Sequence, residues 1–291
     1  MQELVRSTRR LHGRLLRRPA RTAILVVNGF DRHSASPFDV EEARRFPWIE
    51  VCLRQLERHT DPSAYDILVW DNSSLPEQHA FLEASPRVTV FGRDEDDVRH
   101  GRALDRLLRL VPEGTENVVT LDTDCFPVRD GWLENLLGRL ARGAWIAGVW
   151  RDEMAPRIRP YVHPSCCAAR LETLRRLGVE FTRKGGGQDV GQRLTEAVLG
   201  AGGRVSGLRR SNAWNPHFLL AGIYGDLVYH HGAGSRHASF WTSDEPERDE
   251  AARVALRDTA FADLDGLVDA LAGDAPALEL PPAAVTGRTS V

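Results

Sequence analysis

Two aspartates separated by one threonine, Asp122 and Asp124, close a run of apolar and β-branched residues, VVTLDTDCF at 118–126. A run of that kind is a buried strand, and side chains two apart on an extended chain share a face. Both carboxylates then aim at one spot past the carboxyl end of a strand, which is where open α/β sheets bind ligands. Two anions directed at one spot repel each other unless a cation lies between them, and hard divalent ions with oxygen ligands, Mn2+ or Mg2+, suit that position. Solvated loop aspartates, or an aspartate capping the next helix, are the plainer alternative.

Two further stretches carry chemistry. Residues 182–189, TRKGGGQD, place three glycines ahead of Asp189, a backbone too free for regular structure and suited to a loop or a lid. Asp189 is expected to start the helix DVGQRLTEAVLGAGG, either as a plain N-cap or as a general base shielded by the lid. Residues 226–236, DLVYHHGAGSR, deliver His230 and His231 from a short strand into a glycine-rich turn with Ser235 and Arg236. Imidazole completes the coordination of a borderline ion such as Mn2+, and the serine, arginine and backbone N–H groups suit phosphate.

The elements that must position these groups alternate. TAILVVN at 22–28 reads as a buried first strand, followed by a loop with Asp31, Arg32 and His33 as a candidate nucleotide contact. A helix is expected over 40–59 with its main part after Pro47, then strands YDILVW at 65–70 and RVTVF at 87–91, and a helix over 101–110. The aspartate-bearing strand follows, then a helix over 130–142 capped by Asp130, a strand AWIAGVW at 144–150, an extended YVHPSCCAA at 161–169 and a helix that Gly178 closes. Strand alternating with helix predicts an α/β fold with a mostly parallel, Rossmann-like sheet flanked by helices, Asp71 and Asp122 lying on one rim. The division expected is a basic segment 1–21, a main domain 22–240, a helical appendage 241–272 and a disordered Ala- and Pro-rich tail 273–291.

With 291 residues, 42% of them hydrophobic, the chain can bury a sizeable core. It lacks a run of the roughly 20 apolar residues that span a bilayer, and its Arg-rich start lacks the apolar region of a secretory signal. Cys52, Cys125, Cys166 and Cys167 have no zinc-type spacing and read as reduced thiols in a cytoplasm. Residues 1–22 hold seven arginines and one glutamate, leaving 31 basic against 40 acidic residues elsewhere. That N-terminus is a candidate for weak contact with an anionic membrane surface, against the plainer reading of a solvated terminal helix. The acidic remainder argues against nucleic acid as a partner.

The order of these features resembles the family 2 glycosyltransferases, which have the GT-A fold, over about residues 22–240. The resemblance rests on WDNSS at 70–74, GRALDRLL, LDTDCFP as an Asp-x-Asp motif, a GWLENLL-type helix, HPSCCAARLETLRRLGV, QDVGQRLTEAVLGAGGRV and HHGAGSR. It implies hexosyl or deoxyhexosyl transfer from a nucleoside-diphosphate sugar donor to an acceptor hydroxyl, with inversion, assisted by Mn2+ or Mg2+. Asp71 would contact the nucleobase and Asp122 the ribose or a metal-bound water. Asp124 would ligate the metal with Asp122 and with His230 or His231, and Asp189 would be the general base. Asn28, Asp31, Arg102, Gln188, Ser235 and Arg236 complete the donor-binding candidates. Gln188 stands where the family has Glu, His100 where it often has Asn, and NGFDRH replaces the commoner Pro-x-x-Asn loop.

Three rival readings share parts of this pattern. A haloacid-dehalogenase-type phosphatase also opens on Asp-x-Asp, but needs a lysine and a later acidic pair; Lys184 is the only lysine and lies in the glycine loop. A sugar nucleotidyltransferase would want a Gly- and Arg-rich loop after the first strand. A degenerate GT-A module that binds a nucleotide sugar without turnover is kept open by Gln188.

Overall fold

The computed structural model describes residues 21–29, 38–72, 74–92, 98–153, 159–178, 180–182, 189–212, 221–237 and 246–272. Its centre is β1 (Thr22–Asn28), paired with a parallel strand on either side, whose run of Ile, Leu and Val is buried because helices cover both faces of the sheet. The neighbours are β2 (Tyr65–Asp71) and β4 (Asn117–Asp122), and β3 (Val88–Phe91) continues the sheet beyond β2. Past β4 come β7 (Tyr161–Arg170), β6 (Ala144–Arg151) and β8 (Arg204–Leu208), giving the order β3-β2-β1-β4-β7-β6-β8. Six strands point the same way, and β7 alone is antiparallel to its neighbours. The mostly parallel sheet expected from the sequence is therefore present, with one reversal at 161–170.

Alternation along the strands divides the core into two layers. Ile24 and Val26 of β1 face one layer and Ala23 and Leu25 the other. On the first side pack α2 (Trp48–His59) and α5 (Trp132–Ala141); on the second pack α4 (His100–Leu110), α6 (Leu171–Leu177) and α7 (Gln192–Gly200). Each helix buries a stripe at helical spacing: Trp48, Ile49, Cys52, Leu53 and Leu56 on α2, and Ala103, Leu104 and Leu107 on α4. Short helices α1 (Val40–Arg45) and α3 (Pro76–Ala84) flank the first side, α1 capped by the Asp39 side chain and α3 opened by Pro76.

A second, three-stranded sheet lies beyond the Asp122 rim, with β5 (Cys125–Pro127), β10 (Val228–His230) and β9 (Gly222–Tyr224) in that order. The C-terminal segment is a pair of helices, α8 (Pro246–Ala262) and α9 (Leu264–Ala272). They bury Ala252, Leu256, Leu267 and Leu271 in the same core layer as β1 and α2. No described helix is long and apolar enough to cross a membrane.

Two helix starts differ from the sequence expectation. Helix α5 begins at Trp132 after Gly131 in the left-handed region (φ 78°), and Asp130 instead lies 2.8 Å from His59 Nδ1. Helix α7 begins at Gln192, three residues past Asp189, with Gly191 at φ 82° as its cap. A side chain at 191 would meet Pro164 at 2.6 Å, so the turn into α7 needs glycine and frees Asp189 from capping. The four cysteines are free and buried.

Candidate active site

Strand register sets the site. Asn28 lies level with Asp71 of β2, and Val27 with Asp122 of β4, so three polar side chains end adjacent parallel strands at one rim. Thr123 and Asp124 then form a turn, and β5 pairs with β10 so that Cys125 opposes His230. Asp124 therefore reaches Asp122 through a turn rather than along one extended strand. The carboxylates converge all the same. One donor atom each from Asp122, Asp124 and His230 lies within 4.8 Å of the others.

The glycine turn after β10 wraps Asp124. Its main-chain carbonyl accepts the His231 N–H (2.9 Å), and its Oδ2 accepts the Gly234 N–H (2.8 Å). A Cβ at Gly234 would lie 2.5 Å from that of Asp124, so only glycine lets the backbone approach this closely. Ala233 is held at φ 54°, a left-handed conformation uncommon for a residue with a side chain, and its carbonyl accepts from the buried Arg253 of α8 (3.3 Å).

An open cleft of about 220 Å³ runs along the rim. Of the sequence-derived candidates, Asn28, Asp122, Asp124, Asp189, His230, Ser235 and Arg236 line it. Three others lie elsewhere. Asp71 is fully buried behind the rim, its Oδ1 accepting the Ser74 N–H (3.1 Å) and its Oδ2 lying 2.6 Å from His79 Nδ1, and Asn72 lines the cleft in its place. Arg102 is exposed on α4, because the helix turns its buried stripe of Ala103, Leu104 and Leu107 to the sheet. His231 points into the core, its ring 4.8 Å from Trp48 and its Nδ1 3.0 Å from the Tyr229 hydroxyl, since successive residues of an extended chain face opposite ways. Asp31, Gln188 and the glycines 185–187 lie outside the described residues.

The cleft also holds groups that strand-end logic passed over. Arg151, the last residue of β6, is buried, bonds the Tyr224 hydroxyl (2.7 Å) and lies 2.6 Å from His230 Nδ1. It is a charge closing an apolar strand, the same signal that marked Asp71 and Asp122. His100, at the start of α4, places Nε2 3.1 Å from Asp122 Oδ1. On β7, Tyr161 donates its hydroxyl to Asp189 Oδ2, and His163 Nε2 lies 3.8 Å from the same oxygen. Oδ1 of Asp189 accepts the Val190 N–H (2.8 Å).

Burial and the facing Asp122 charge push the Asp124 carboxyl up to about 6, against the pull of the Gly234 N–H and Arg151. Burial acts the same way on Asp122, but His100, His163 and Arg151 outweigh it and hold that carboxyl below the usual range. Burial brings His163 down to about 4 despite Asp189, so its imidazole is neutral at pH 7. The Ser165 N–H points at His163 Nδ1 (3.0 Å), which fixes the ring proton on Nε2, facing Asp189. A divalent ion fits the carboxylate pair: a buried carboxylate driven toward protonation by burial and by a half-buried neighbour is what such an ion relieves.

No protein-family model matches the sequence, and no curated protein matches it. Among solved structures, the chain is similar to the mannosyltransferase PcManGT from Pyrobaculum calidifontis in complex with GDP-Man and Mn2+. Identity is 19%, covering 94% of this chain and 73% of that one, with a TM-score of 0.50. It is also similar to residues 1-349 of S. aureus TarS in complex with UDP-GlcNAc. Identity there is 14%, over 85% of this chain and 70% of that one, with a TM-score of 0.49. With the sheet order above, the likeness to the mannosyltransferase defines the class of fold, a GT-A-like α/β architecture.

Proposed function

We propose that the chain is a glycosyltransferase of the family 2 kind, moving a hexosyl or deoxyhexosyl unit from a nucleoside-diphosphate sugar to an acceptor hydroxyl with inversion. The observation that carries this reading is one cleft with two kinds of carboxylate. The Asp122–Asp124 pair converges with His230 at the strand rim, and Asp189 stands in the same cleft, held by Tyr161 and Val190.

Asp122 and Asp124 would hold Mn2+ or Mg2+, which supplies positive charge to the departing diphosphate. Arg236 and the Ser235 hydroxyl line the cleft beside Asp124 and suit the phosphate oxygens. Asn28, with a buried Nδ2 that lacks a hydrogen-bond partner among the described residues, is a donor for the nucleoside part. Asp189 would take the proton of the acceptor hydroxyl on a carboxylate oxygen. The Tyr161 hydroxyl and the His163 Nε2–H keep that carboxylate oriented. The unit 22–240 would carry this chemistry, with 241–272 as its helical support.

The test is a thermal-shift panel of UDP, GDP, dTDP and CDP, each with Mn2+, Mg2+ or EDTA. A ligand at 100 times its Kd stabilises the native state by about 2.7 kcal/mol. A shift for one nucleoside diphosphate that requires the metal supports the reading and names the donor base; no shift with any of them overturns it. Release of free sugar from the matching nucleotide sugar then separates an enzyme from a module that only binds.

A further inference from the structure

We infer that Arg151 is a built-in competitor of the metal, holding the His230 lone pair that an ion would need. The inference rests on the metal reading above and adds a residue to it. Guanidinium groups carry donors and no acceptor, so the His230 Nδ1 that lies 2.6 Å from an Arg151 terminal nitrogen must be accepting. A neutral imidazole has one N–H and one lone pair, which leaves the His230 proton on Nε2, the nitrogen 3.8 Å from Asp124 Oδ1. In that arrangement His230 offers Asp124 a donor and offers an ion nothing.

Ligation through Nε2 would move the proton to Nδ1, where it would face an Arg151 N–H across 2.6 Å; ligation through Nδ1 would need the space Arg151 fills. By either nitrogen, the arginine must leave before the histidine can bind. Metal-bound histidines ordinarily donate their second ring N–H to a carboxylate, carbonyl or water, and here the partner is donor-only. The arginine is held in place from behind, since it bonds the Tyr224 hydroxyl (2.7 Å), which itself donates to Glu153 (2.8 Å). It also lines the cleft, so an anionic ligand there is the group able to draw it off.

Mn2+ binding, read from the loss of the free-ion EPR signal, tests this on four full-length proteins: wild type, Arg151→Met, His230→Ala and the double variant. Arg151→Met is expected to bind Mn2+ about 10- to 100-fold more tightly than wild type, the range that a change of histidine partner commands, and to lose most of that gain when His230 is alanine. An equal gain in the His230→Ala background would show plain relief of charge repulsion and overturn the proposal, as would no gain at all. Failure of all four to bind Mn2+ would remove the metal reading and this proposal together. Should Arg151→Met not fold, histidine-ring 1H–15N spectra of the metal-free wild type decide the matter. A proton on His230 Nε2 supports the competition, and a proton on Nδ1 overturns it.

Discussion

Replacing Asp124 by asparagine is expected to stabilise the metal-free protein while removing its metal binding. The Asp124 carboxyl sits at about 6 in the folded chain against 3.8 unfolded, driven up by burial and by Asp122. A folded-state value above the unfolded one means that the native state keeps the proton longer, so stability falls as pH rises from about 4 to about 6. Above that window the cost is fully developed, at about 3 kcal/mol for a difference of this size. At pH 5 about half of it remains. The side chain is only 8% exposed, so solvent screening takes little from the figure.

Asparagine removes the charge and keeps an oxygen for the Gly234 N–H. Scanning calorimetry in EDTA from pH 5 to 8 should place the Asp124→Asn melting temperature above wild type by roughly 6 °C at pH 7.5 and by about half as much at pH 5. Mn2+ should raise the wild-type value and leave the variant unmoved. A variant less stable than wild type at pH 7.5, or a difference that does not shrink toward pH 5, would refute the claim that Asp122 and Asp124 are held in electrostatic conflict.

Three other substitutions separate the parts of the site. Asp189→Asn should retain nucleotide-dependent thermal shifts while transfer falls by 100-fold or more (about 3 kcal/mol in the chemical step), seen in kcat with little change in donor KM. Gly234→Ala forces a methyl group to within 2.5 Å of Asp124 Cβ, so metal and nucleotide binding should weaken together in calorimetric titrations while Asp189 chemistry is spared. Arg253→Met leaves Glu250 without its two-pronged partner and takes one of the donors from the Ala233 carbonyl. It should cost about 3 kcal/mol in urea unfolding and loosen the turn that holds Asp124.

Six of the seven strands of the main sheet were legible as apolar runs, most of which end in a charged or polar group; β8, the half-exposed RVSGL, has no such run and was not. Asp71, Asp122 and Arg151 all close such runs. Helices α2 and α4 were legible from their buried stripes. Strand β10 was read as a short strand ahead of the glycine turn, but β5 and β9 are three residues each, too short for any period, and the three-stranded sheet could not be read from pattern. That sheet is also what brings His230 to Asp124, so the convergence of the triad depends on the element with the weakest sequence signal. The reversal of β7 was equally hidden, since YVHPSCCAAR is extended in either direction. It matters because β7 presents Tyr161 and His163 to Asp189.

The cleft concentrates groups that would repel or desolvate one another in isolation: the carboxylates of Asp122 and Asp124, and the Arg151 cation beside the imidazoles of His163 and His230, which burial and that cation hold neutral. Such a cluster persists only where the surroundings fix it more firmly than it pushes apart. On one side the fixed element is the parallel rim, where β1, β2 and β4 are tied register by register. On the other it is the turn at 232–235, which lies beyond the large sheet, after β10 of the small one. It is held by the Asp124 carboxylate it wraps, and by Arg253, a fully buried cation from a helix that packs on the core. The C-terminal helices therefore set the geometry of the carboxylate pair, even though no residue of theirs lines the cleft. A chain ending before α8 would keep the rim aspartate and lose the support that brings the second one to it.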